Sequence, residues 1–180
     1  VSDDNSAIRM AAEYVYPEVV YQLCLNHYRE SIRRDLGIRS SEKYRKFFFE
    51  IDSLFNNRLD LVHFTWAIVD LYKSYDSNPR CLAWIKDLMV RRKELTNYHK
   101  FEGAPNTTNL IEGFNSQLEQ RTKAIKGFQS FKYASIWLNG FVLRRRLSKF
   151  TDCRPPFKHF NGKMPIEMTL KDGIKPPNFF

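Results

Sequence analysis

Val19-Val20-Tyr21-Gln22-Leu23-Cys24-Leu25-Asn26-His27 contains the change of pattern on which the fold turns. Val19 to Cys24 is rich in β-branched and apolar residues and predicts a short buried strand. Upstream, Ile8, Ala11, Ala12 and Val15 share one face of a short helix over residues 7–14, which Pro17 stops. Val1-Ser2-Asp3-Asp4 fits the carboxyl end of an earlier strand. Strand, helix, strand is the unit of a parallel α/β sheet. After His27 the apolar period becomes helical and stays so.

Tyr28 to Leu36 predicts a helix closed by Gly37. Ser41 can cap a helix carrying Phe47, Phe48, Ile51, Leu54 and Phe55. Leu59, Val62, Trp66, Val69 and Tyr72 mark the next. Asn78-Pro79 is a start signal, a capping Asn before Pro at the first helical position. The helix it opens shows Leu82, Ile85, Leu88 and Met89 on one side. Residues 38–103 thus read as an all-helical insertion of three or four helices. After the loop at residues 102–106, Thr107, Thr108 or Asn109 caps a helix to about Gln120. Ser130 caps another, with Tyr133, Ala134, Trp137, Leu138, Phe141 and Val142, and Arg144-Arg145-Arg146 in its last turn suit the helix dipole. Pro155, Pro156, Pro165, Pro176 and Pro177 predict an extended tail over 151–180, with at most one short helix near Ile166–Leu170. The expected fold is mainly α with a small α/β remnant. Its segments are 1–37 (α/β), 38–103 (insertion), 104–150 (two helices) and the tail.

The 180 residues are 43% hydrophobic and 27% charged, a globular rather than disordered composition. No apolar run approaches the ~18 residues of a membrane span. Three cysteines make no disulfide framework and predict a reducing, intracellular setting, cytoplasmic or nucleoid-associated. No secretory signal is expected, and the opening Val1 predicts a piece of a longer protein. The net charge is +9, and its excess is confined to residues 121–180, which hold 13 Lys/Arg against 3 Asp/Glu. That asymmetry points to a polyanion, nucleic acid above all, or to a solvated basic tail.

Chemistry-bearing candidates are few. Asp3, at a strand's carboxyl end, lies where α/β sheets place their sites and where Mg²⁺ needs few protein ligands. Alternatively, Asp3 or Asp4 caps the following helix. Glu112 stands in the first turn of its helix, either as a metal-binding carboxylate or as the partner of Asn109 in a capping box. Cys24 and His27 form a C-x-x-H pair, half of a zinc site. His63, Cys81, His99, Cys153 and His159 supply no second close pair, so Cys24 and His27 are expected to pack beside an active-site edge. Arg121, Lys123, Lys126, Lys132 and Arg144–Arg146 flank Phe128, Phe131, Tyr133 and Trp137, a mixture that suits phosphates and splayed bases. The aromatics, at helical spacing, are expected in a core. No Gly-rich phosphate loop, G-x-S-x-G elbow or H-E-x-x-H is present.

Thr107-Thr108-Asn109-Leu110-Ile111-Glu112-Gly113-Phe114-Asn115, then Arg121-Thr122 and Lys126-Gly127-Phe128, closely resembles the segment around the last acid of Mutator/IS256-like DDE transposases. Ser2-Asp3, Ala7-Ile8-Arg9 and Cys24-Leu25-Asn26-His27 resemble that family's second acid and its downstream C-x-x-H. The tail, Arg154-Pro155-Pro156 to Gly162-Lys163-Met164-Pro165-Ile166-Glu167, is similar to the family's R-P and G-K-T-P-x-E endings, with Met164 in place of Thr.

The resemblance implies an RNase H-like fold whose helical insertion lies between the last strand and the Glu helix. It implies that Asp3 and Glu112, 109 positions apart, are the second and third catalytic acids and ligate Mg²⁺ or Mn²⁺. The metals would serve phosphoryl transfer on DNA, cleaving and joining strands at transposon ends and target. Asn109 and Asn115 would orient Glu112 or touch DNA. Arg121, Lys123, Lys126, Arg144, Arg145 and Arg146 would hold the phosphate backbone. The first acid has no position here, so the chain alone is expected to be inactive, and a homo-oligomer is one form open to the intact protein. The alternatives are a non-catalytic DNA-binding remnant, domesticated from a transposase, and a metal nuclease of the same fold.

Overall fold

Polar caps set most of the helix starts. Asn5 Oδ1 accepts from the backbone N–H of Ala7 (2.9 Å) and Ile8 (3.3 Å), opening α1 (Ser6–Val15). Asn5, and neither Asp3 nor Asp4, is therefore the cap. α2 (Leu25–Asp35) follows, and Gly37 turns the chain at φ +64°, a conformation that suits glycine. α3 (Arg45–Asn56) begins after Tyr44 without a side-chain cap. Ser41, the expected cap, instead closes a local turn by accepting from Lys43 N–H at 3.2 Å. Asp60 caps α4 (Leu61–Tyr75) and Asn78 caps α5 (Pro79–Thr96), the latter as its Asn-Pro signal predicts. α6 (Asn109–Lys123) and α7 (Phe131–Leu147) complete the series, with Ser130 capping α7 through Tyr133 N–H at 3.3 Å.

This computed structural model describes residues 1–155, 157–170 and 174, and over them the chain is mainly helical, with no strand. The expected strand at Val19–Cys24 is reduced to one parallel bridge, Ser2 to Leu23. The reason is the lack of neighbours: two short strands make no stable sheet. On its other side Leu23 N–H donates to Glu94 O of α5 (2.9 Å), so a helix end occupies the edge where a third strand would pair. Val19 and Val20 stay exposed.

The chain divides into two compact units, Val1–Gly113 and Phe114–Phe180. In the first, α2 to α5 enclose one core. Ile32 (α2), Ile51 (α3), Ile68 (α4) and Leu88 (α5) are fully withdrawn from water, each contributing about 1.5–3 kcal/mol. Tyr28 packs edge-on against Phe55 (6.0 Å) and Trp84 (5.9 Å), and its hydroxyl donates to Asp87 at 2.6 Å. Asp87 also accepts from Arg91, whose other arm reaches Asp4 at 2.7 Å and ties the chain's start to α5.

In the second unit Trp137 stacks on Phe141 (5.6 Å), with Phe128 and Phe114 against them. Phe131 and Tyr133 are exposed, so only part of the aromatic series forms the expected core. The tail folds back on itself: Gly162 N–H donates to Phe150 O (2.8 Å) and Phe150 N–H to Lys163 O (2.9 Å). It contains two 3₁₀ turns, Phe157–Phe160 and Pro165–Met168, where the prolines predicted one short helix. Pro156, Pro176 and Pro177, with Lys171 and Lys175 of the basic excess, lie outside the described residues.

Candidate functional site

The bridge at Ser2 fixes the site's floor. Ser2 N–H donates to Gln22 O (3.1 Å) and Cys24 N–H to Ser2 O (2.7 Å). Asp3 therefore follows directly from the strand-like contact that holds Cys24. Leu25 N–H then donates to Asn106 O (3.0 Å), which draws in the segment preceding α6. Buried Gln22 locks this floor to the end of α5. Its amide donates to Leu23 O (2.7 Å) and Leu95 O (3.3 Å), and its Oε1 accepts from Tyr98 N–H (2.8 Å). A Gln inside an apolar run was the signal for such a clamp.

Two helix N-termini meet above that floor. Cys24 is the N-cap of α2, His27 lies in its first turn, and Glu112 lies in the first turn of α6. Asn26 of α2 donates to Asn109 Oδ1 of α6 at 2.7 Å. That bond engages Asn109, which is the first helical residue rather than a cap, so the Asn109–Glu112 capping box does not form. Thr108 does the joining: its N–H (3.3 Å) and hydroxyl (3.2 Å) donate to Cys24 Sγ, and the hydroxyl also contacts Glu112 Oε1. His27 Nε2 stands 3.6 Å from Glu112 Oε1. The donor atoms of Cys24, His27 and Glu112 all lie within 4.8 Å of one another, the only such cluster of three metal-binding residue types among the described residues. Both helix dipoles favour negative charge here.

Asp3 is not in that cluster. Its carboxylate accepts from Ser2 Oγ at 3.2 Å, and its carbonyl accepts from the Tyr21 hydroxyl at 2.7 Å. Of the two expected acids, Glu112 is thus gathered with the C-x-x-H pair, while Asp3 is joined to Cys24 through backbone. A thiol, an imidazole and one carboxylate do not match Mg²⁺, which takes oxygen ligands in near-octahedral geometry.

The basic candidates divide by their partners. Arg121, Lys126 and Arg144 are exposed, as is Asn115. Lys126 sits at positive φ (+54°), immediately before Gly127 at φ +114°. Lys123 pairs with Glu119 at 2.9 Å. Arg145 contacts Gln117 and lies over the Phe114 ring (5.3 Å), and Arg146 donates to Thr169 at 3.2 Å. Cys24, Cys81 and Cys153 are all free thiols. No described helix is long and apolar enough to cross a membrane.

Comparison with protein-family models, curated proteins and solved structures finds no match to this chain.

Proposed function

We propose that the chain is the C-terminal part of a Mutator-like DDE transposase, on an RNase H-like scaffold, acting on DNA. One observation carries the reading. The C-x-x-H pair and the Thr-Thr-Asn-Leu-Ile-Glu segment, separated by the whole block of α3 to α5, meet through Thr108 at Cys24, whose backbone is bridged to Ser2, the residue before Asp3. These are the two motifs that a transposase brings to one edge. In the intact enzyme Asp3 and Glu112 would be two of the carboxylates holding Mg²⁺ or Mn²⁺, which would supply activation of an attacking oxygen and charge neutralisation at the leaving one. The basic residues beyond Glu112, Arg121, Lys126 and Arg144 first, neutralise the DNA backbone. The 180-residue chain, with positions for two acids only, binds DNA without cutting it.

A DNA-binding remnant is the second reading, favoured by the absence of Asp3 from the Glu112 cluster. A cleavage assay on the longer reading frame separates the two. Under the first, Asp3→Ala and Glu112→Ala abolish Mg²⁺-dependent cleavage and leave DNA affinity intact. Cleavage that survives both substitutions overturns it. So does strand transfer by the 180-residue chain alone.

A further inference from the structure

We propose that Cys24, His27 and Glu112 bind a divalent transition metal of the zinc type, with three protein ligands and a solvent-facing fourth position. This does not rest on the transposase reading, and it competes with that reading at Glu112, whose carboxylate would be drawn from a Mg²⁺ shared with Asp3 to this ion.

The donor set is the first argument. Thiolate, imidazole and carboxylate together are the ligands of Zn²⁺ and Co²⁺, whereas hard Mg²⁺ and Ca²⁺ select oxygen. The geometry is the second. A tetrahedral ion with Zn–N and Zn–O bonds near ~2.0 Å and Zn–S near ~2.3 Å sets its ligands about 3.3–3.6 Å apart. His27 Nε2 and Glu112 Oε1 stand 3.6 Å apart, beyond a normal hydrogen bond and close to that edge length. Cys24 Sγ lies within 4.8 Å of both. His27 and Glu112, the two exposed members, are the side chains that would move to close the set.

The surroundings are the third. Cys24 has no exposed surface, and its backbone is fixed by the Ser2 carbonyl on one side and by Tyr28 N–H on the other. Thr108 N–H donates to its sulfur at 3.3 Å and the Thr108 hydroxyl bridges it to Glu112 Oε1, so one residue outside the donor set holds two of its three members in place. His27 and Glu112 have 47% and 49% of their side-chain surface exposed, which leaves an entry path and room for water as the fourth ligand. The C-x-x-H spacing supplies two ligands from one helix start. The third comes from the far side of α3 to α5, so no pattern of close pairs shows it. Binding exchanges the thiol proton for the metal and releases that proton to solvent, with no redox change.

Anaerobic titration of the 180-residue chain with Co²⁺ tests this. One equivalent is expected to give a thiolate-to-cobalt charge-transfer band and the intense visible bands of a four-coordinate ion, both bleached by Zn²⁺. Cys24→Ser removes the charge-transfer band. Cys153→Ser, outside the cluster, leaves it. His27→Ala and Glu112→Gln, at exposed positions where folding is not at stake, each weaken Co²⁺ binding by at least about tenfold, and Thr108→Val by about tenfold. Unaltered helical circular dichroism accompanies all of them. No Co²⁺ binding by the folded chain overturns the proposal. So does a charge-transfer band that depends on Cys153, or equal affinity in His27→Ala and Glu112→Gln to that of the unsubstituted chain.

Discussion

Gln22→Met removes the clamp under the site while keeping the side chain's length and bulk. The structure sets the size of the effect. Three hydrogen bonds disappear, two of them short (2.7 and 2.8 Å) and one long (3.3 Å). At about 0.5–1.5 kcal/mol each, with the long bond at the low end, the cost is about 2–3 kcal/mol. Tyr98 N–H is left without its buried acceptor, which holds the cost at the upper end. Against a typical domain stability of about 5–15 kcal/mol this is a large fraction. Urea unfolding followed by far-ultraviolet circular dichroism and by tryptophan fluorescence reads it as a lower midpoint at unchanged slope. Val20→Ala, in the same stretch but 40% exposed and without side-chain polar contacts, serves as the comparison and costs less. A Gln22→Met protein within about 0.5 kcal/mol of wild type would falsify the assignment of Gln22 as the clamp.

Three further outcomes follow from the same geometry. Asn78→Ala, at the cap of α5, lowers stability by about 1 kcal/mol in the same assay, whereas Ser41→Ala, which caps no helix, stays within about 0.5 kcal/mol. Burial first, and Glu50 second, push the Tyr75 hydroxyl up to about 12, and burial with Asp87 raises Tyr28 as well. Both favour the neutral phenol in the fold, so their stabilisation is complete below pH 10 and is lost as pH rises toward 12. Ultraviolet titration shows a late phase from these two phenols, which Tyr75→Phe shortens; a titration without a late phase refutes this. On the proposed DNA-binding role, Arg121→Ala, Lys126→Ala and Arg144→Ala are each expected to reduce the salt-dependence slope by about 0.9 for every phosphate the side chain neutralises, and an unchanged slope in all three counts against that role. Arg145→Ala, whose guanidinium is engaged with Gln117 and Phe114, lowers stability more than it changes that slope.

The helices are legible in the sequence because their signals are local. Asn78-Pro79, Ser130 and the apolar period of Phe47, Phe48, Ile51, Leu54 and Phe55 each act within a few residues, and the structure repeats them. The strand fails because pairing is not local. Val19 and Val20 have β-branched shape but no neighbouring strand, and Glu94 of α5 takes the bond from Leu23. Ser41 fails as a cap because it lies ahead of the helix start at Tyr44 and is spent in a turn. At the site, Cys24 and His27 declare themselves by spacing. Their meeting with Glu112 depends on Thr108 and on the fold of everything between, and composition carries no trace of it. Gln22 stands in plain view as the one polar residue of its run, and its role is visible only with Leu95 and Tyr98 opposite.

The distance along the chain from Cys24 to Thr108 has a kinetic meaning. Contacts within α3, α4 and α5 close over short loops and form early, while the Thr108–Cys24 contact requires the ends of the whole block to be brought together. It belongs late on the folding path, after the transition state has buried most of the apolar surface. A substitution at Thr108 therefore leaves the refolding rate nearly unchanged and appears in the rate of opening. The same is expected in hydrogen exchange: the first turn of α6, outside the core of Ile51, Ile68 and Leu88, should open and reclose without that core coming apart.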